Sequence, residues 1–83
     1  MSYADQVRKH CNEKYVTPAR VKGQAEITIR AGDVHRDLGF ASRMPGVCGA
    51  IGSKRFEDEC NLKRVSVDGP LQGATTTFTF KVL

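Results

Sequence analysis

The stretch RMPGVCGAIGSKRF, residues 43–56, gathers the residues best suited to holding a phosphate. Gly46, Gly49 and Gly52 recur at every third position, and Ser53, Lys54 and Arg55 follow directly. Glycines let a backbone approach closely, and cations beside them attract polyanions. The Walker phosphate loop, however, requires G-x-x-x-x-G-K-[ST]. Gly46 to Gly52 is one residue too long for that pattern, and Ser53 precedes Lys54 instead of following it. No βαβ unit surrounds the segment, so a nucleotide cradle is excluded. GVCG and GAIG also match the GXXG turn of KH-type RNA-binding domains. That fold needs three strands and three helices in another order, which leaves RNA binding through a GXXG turn as a minor alternative.

Other reactive residues are sparse. His10 adjoins Cys11, with His35, Cys48 and Cys60 further along the chain. Tetrahedral zinc sites carry two close ligand pairs, whereas only one adjacent pair is present here. Three cysteines without paired spacing speak against a disulfide framework, and they read as reduced thiols acting as small hydrophobes. His10, His35 and Cys48 lack the nucleophile elbow or paired carboxylates of a hydrolase. No catalytic residue, metal or cofactor is expected, and the chain reads as a non-enzyme.

Charge points to another activity. Thirteen basic residues against nine acidic give a net charge of +4, which favours a polyanionic partner. The distribution is more telling than the total. Arg20, Lys22, Arg30, Arg36, Arg43, Lys54, Arg55, Lys63 and Arg64 spread along the middle of the chain, and no acid occurs between Gly39 and Arg55. Such a window suits phosphates.

These residues must be positioned by one small domain, 1–83, because 83 residues cannot support two cores. Four Phe, two Tyr and no Trp leave a modest core, which self-association would support. No apolar run approaches 18 residues and no signal-peptide pattern opens the chain, so the expected location is cytoplasmic, away from membranes.

Tyr3, Val7, Cys11 and Tyr15 recur in steps of four and predict an amphipathic helix. Pro18 kinks it or ends it near Val16, or, with Thr17 as cap, opens a short second turn to Gly23. Ala25 to Arg30 alternates around Ile27 and Ile29 and predicts a strand. Asp33, Val34 and Leu38 predict a helix of about two turns, stopped by Gly39 in a left-handed conformation. Ser42 is the expected N-cap of the next helix, with Pro45 in its first turn and Val47 and Ile51 on its buried face. That helix either runs on to Phe56 or breaks at Gly52 and resumes through Cys60, with Glu57, Asp58 and Glu59 on a solvated surface. A hairpin closes the chain. Val65 and Val67 share one face of its first strand, opposite Arg64 and Ser66; Phe78, Phe80 and Val82 point inward from 75–82. A long tip, DGPLQGA, joins the two.

This order resembles the winged helix-turn-helix superfamily, most tellingly over ITIRAGDVHRDLGFASRMPGVCGAI, residues 27–51. Leu38-Gly39 and Ser42 stand where that superfamily ends its first helix and caps its recognition helix. The resemblance implies an α+β fold: helix, strand, helix, helix, then a C-terminal β-hairpin wing. It further implies that helix 43–55 lies in the major groove of duplex DNA, as in a transcriptional regulator or accessory DNA-binding factor. Carried over position by position, Ser42, Arg43, Gly46, Gly49, Ala50 and Ser53 face the groove. Arg43 suits a guanine contact, and Lys54 and Arg55 suit phosphates. Two features depart from the superfamily's pattern: the tip at 68–74 carries an acid and no base, and the helix has little side-chain material beyond Arg43. The different-class alternative is a protein-interaction or homodimerisation module of the same fold, pairing through an exposed edge along 75–82.

Overall fold

The computed structural model describes residues 2–70 and 73–83 of this α+β protein. Ser2 caps the first helix, α1 (Tyr3–Cys11), by accepting the Asp5 N–H at 3.1 Å. The helix does not stop for Pro18. A π-helical turn at Asn12–Val16 carries it into α2 (Thr17–Lys22). Pro18 has no N–H, and its ring would collide with the Lys14 carbonyl in a regular helix. The wider turn relieves that collision, since the Thr17 N–H reaches back to the Asn12 carbonyl. Thr17 is therefore an interior residue and not the expected cap.

Strand β1 (Glu26–Arg30) buries Ile27 and Ile29, as their alternation predicts. Helix α3 (Ala31–Asp37) follows without a linker. Its Gly32 rests on the chain leading into the last strand: the N–H donates to the Ala74 carbonyl at 3.0 Å. A Cβ on Gly32 would lie 2.5 Å from that oxygen, so only glycine fits. Gly39 takes the expected left-handed conformation at φ 67°. Then α4 (Met44–Ile51) and α5 (Lys54–Cys60) precede β2 (Leu62–Asp68) and β3 (Thr77–Val82).

The sheet is antiparallel with order β1-β3-β2. Because β3 pairs on both sides, the expectation of an exposed edge along 75–82 is corrected; the outer strands are β1 and β2. A β-bulge between Arg64 and Ser66 shifts the β2 register. Leu62 and Arg64 pair with Val82 and Phe80, whereas Val67 pairs with Phe78, leaving Val65 unpaired at the bulge. The expected shared face of Val65 and Val67 is thus broken, and both are exposed. Of the expected DGPLQGA tip, Leu71 and Gln72 lie outside the described residues.

The core joins Val7, Cys11 and Val16 to Ile29, Val34, Ile51, Phe56 and Phe80, each no more than 1% exposed. Phe56 meets Phe80 edge-to-face at 5.4 Å. All three cysteines are buried among these apolar side chains, as small hydrophobes would be.

A polar tie reinforces the contact between α1 and α3. Asp37 accepts from Lys14 and lies 3.1 Å from His10 Nε2. The Lys14 hydrogen bond, with a smaller contribution from His10, holds the Asp37 carboxyl below its ordinary range despite some desolvation. A carboxyl whose pKa is lower folded than unfolded contributes stability above its unfolded value. That contribution is lost as pH falls through the folded value. Asp37→Asn should therefore lower Tm by about 1–5 °C at neutral pH and flatten the decline in Tm below about pH 4. Melts of the two proteins across that range check this; parallel acid limbs would remove Asp37 from the account.

Candidate nucleic-acid interface

Helix α4 has one buried side and one bare side. Val47, Cys48, Ala50 and Ile51 are buried, while Pro45, Gly46 and Gly49 are exposed. Ala50, expected to face outward, belongs to the core. Among the described residues, a Cβ at Gly46 or Gly49 would meet nothing within 4 Å, so no neighbouring helix requires these glycines. Gly52 differs. A Cβ there would come within 3.2 Å of both the Cys48 carbonyl and the Phe78 ring, and within 3.4 Å of Arg64.

Of the two expected courses the structure takes the second, so the segment 43–55 named as one DNA-contacting helix is split between α4 and α5. The break is at Gly52, and Ser53 caps α5 by accepting the Phe56 N–H at 3.3 Å while donating to the Ala50 carbonyl at 2.7 Å. Ser53 is a half-buried structural cap and not a groove-facing hydroxyl. Ser42, by contrast, caps nothing. It sits at φ 55°, and Arg43 occupies the cap position without a side-chain bond to the helix. The chain must reverse between α3 and α4, and a small polar residue tolerates the left-handed bend better than Arg43 or Met44 would. Both GXXG stretches are consumed by α4 and its C-cap, so neither forms the turn that an RNA grip of that kind requires.

Arg43 is fixed at both ends. Its backbone N–H donates to His35 Nε2 at 3.2 Å. Its guanidinium lies 4.1 Å above the Tyr3 ring, and Nη2 donates to the Tyr3 hydroxyl at 3.1 Å. Tyr3 meets Phe40 edge-on at 5.2 Å, and a cavity of about 200 Å³ opens between these rings, Pro45 and Gly46.

At the other end of α4, a cleft of about 390 Å³ separates Cys48, Gly49 and Gly52 from Arg64, Val67 and Phe78 of the hairpin. Arg64 Nη1 donates to the Gly52 carbonyl at 3.2 Å. Burial raises the pKa of the Cys48 thiol, which disfavours the thiolate that nucleophilic chemistry needs. Lys54 and Arg55 project from the first turn of α5 and pair along it with Asp58 at 3.7 Å and Glu59 at 2.7 Å. Such exposed pairs are weak and yield readily to competing anions. Asp58 and Glu59 are exposed, as expected, while the half-buried Glu57 accepts the Arg64 backbone N–H at 3.0 Å.

The fold thus strings Arg43, the bare side of α4, Arg64, Lys54 and Arg55 along consecutive elements. Comparisons with protein-family models, curated proteins and solved structures return no match. Among the described residues, no group of three His, Cys, Asp or Glu side chains could hold a metal, and no helix is long and apolar enough to cross a membrane.

Sequence reasoning missed two contributors. Tyr3 counted as part of the buried stripe, yet it lies in the first turn of α1, beyond the edge of the core, and is 49% exposed. Arg64 was set opposite the valines. Counting alternation from Leu62 would have put it on the α4 side.

Proposed function

We propose that this chain is a winged helix-turn-helix domain that binds duplex DNA, with α3 and α4 as the helix pair and β2–β3 as the wing. The single observation that carries this reading is the bare outer side of α4, open to solvent and bounded by Arg43 before the helix and Arg64 after it. The sheet order β1-β3-β2, with β1 entering directly into α3, supports the same reading. A helix with only Pro45 and two glycines on its outer side can lie close to a sugar–phosphate backbone, with nearby cations neutralising phosphates. Sequence discrimination then rests chiefly on Arg43. Titration of a labelled duplex at low salt tests the proposal, and absence of binding overturns it.

Gly46→Ala and Gly49→Ala probe the close approach. An interior glycine costs a helix about 1 kcal/mol relative to alanine. As neither new methyl meets a neighbour among the described residues, each variant should gain up to about that much stability. DNA affinity should fall, because the methyls hold the helix away from the duplex. Thermal melts and duplex titrations check both halves; unchanged affinity would mean that α4 does not touch DNA.

A second reading is a protein-interaction or dimerisation module. The cleft beside α4 favours it, because Val67 and Phe78 give that cleft an apolar wall. Sedimentation, together with the same titration, separates the two readings.

A further inference from the structure

We propose that Tyr3 is a positioning residue that holds the Arg43 guanidinium in one orientation, so that it reads the acceptor edge of a guanine instead of serving as a mobile counter-ion. The inference rests on the DNA-binding reading of α4. A free arginine side chain has many rotamers, and immobilising it on binding consumes affinity. Here that ordering has largely been done in advance. The backbone is pinned by the bond to His35, the guanidinium lies 4.1 Å above the Tyr3 ring, and the Tyr3 hydroxyl accepts one Nη2 hydrogen. Tyr3 is itself braced edge-on by Phe40 at 5.2 Å.

One Nη2 hydrogen is used, and the remaining guanidinium donors stay available in a planar fork. Arg43 is exposed, and one turn along α4 stands Gly46, where a Cβ would meet nothing within 4 Å among the described residues. A phosphate can be met from many directions by a mobile cation. The O6 and N7 acceptors of guanine need the fork presented in one plane. A pre-oriented arginine beside an open helix face matches the second requirement.

The test uses the whole chain. A randomised duplex pool yields the preferred sequence, and each guanine of that duplex is then replaced in turn by 7-deazaguanine, which lacks the N7 acceptor. Wild-type protein should lose about tenfold in affinity at one guanine. Tyr3→Leu should weaken binding to the parent duplex about two- to fivefold and shrink the 7-deazaguanine penalty, with the salt dependence unchanged. Tyr3→Phe keeps the stacking ring and should retain most of the penalty. In the free protein, proton NMR should show the Arg43 Hδ and Hε signals shifted upfield by the ring, an effect lost in Tyr3→Leu. The inference is overturned by absence of that shift, or by a 7-deazaguanine penalty equal in wild type and Tyr3→Leu. Equal affinity for parent and 7-deaza duplexes in the wild type also overturns it, while leaving DNA binding intact. No duplex binding at low salt overturns both readings together.

Discussion

Raising salt about fourfold, from roughly 50 to 200 mM, should weaken duplex binding about 150-fold. Four basic side chains flank α4 along the chain or in space: Arg43 just before it, Lys54 and Arg55 in the first turn of α5, and Arg64, which donates to the Gly52 carbonyl. If each neutralises one phosphate, log affinity falls with log salt at a slope of about −3.6. Arg55→Ala should reduce that slope by about 0.9, nearly independently of sequence. Its pairing with Glu59 does not protect it, because an exposed ion pair within one helix exchanges partners easily. Arg43→Ala should instead lower preference among sequences as well as affinity, since a bidentate guanine contact is worth about 1–3 kcal/mol of discrimination. Anisotropy titrations at four or five salt concentrations measure all three proteins. A flat salt dependence would end the DNA reading and favour the interaction module.

Phe80→Ala should cost about 3–5 kcal/mol of folding stability. Phe80 lies fully buried in the central strand, edge-to-face with Phe56 and nearly parallel to Phe78 at 6.4 Å. Removing its ring opens a void at the junction of the sheet with α5, where two aromatic neighbours lose a partner at once. A domain of this size has a total stability of about 4–12 kcal/mol, so the variant should be close to unfolding. Urea denaturation gives the number directly. A loss below about 1 kcal/mol would contradict the packing described for this sheet.

Where one local rule acted alone, the sequence predicted the structure well. Ile27 and Ile29 marked β1, Gly39 marked the end of α3, and Phe78, Phe80 and Val82 marked the inner side of β3. Where two residues offered the same chemistry, it did not. Ser42 and Ser53 are equally good caps, and three intervening glycines permit a break almost anywhere. Tertiary packing made Ser53 the cap and left Ser42 to absorb the reversal. The bulge at Val65 was invisible for a related reason: an extra residue in a strand leaves composition and hydrophobicity unchanged while reversing which side chains face inward. The candidate site was legible as a cluster of basic residues around glycines. The role of Tyr3 was not, because an aromatic at four-residue spacing looks the same at the edge of a core as at its centre.

The three thiols turn the molecule into its own reporter. Cys11, Cys48 and Cys60 are buried in α1, α4 and α5, and burial raises all three pKa values, that of Cys11 to about 12. A thiol-specific reagent added to the native protein can reach Cys11 only as α1 opens, whereas Cys48 and Cys60 line surface clefts. Mass spectrometry of the labelled chain would then report the opening of α1 at Cys11 and access to the two clefts at Cys48 and Cys60, without any engineered probe. A ligand clamped on α4 would slow modification of Cys48 more than that of Cys11, giving a footprint of the occupied face from the natural sequence alone.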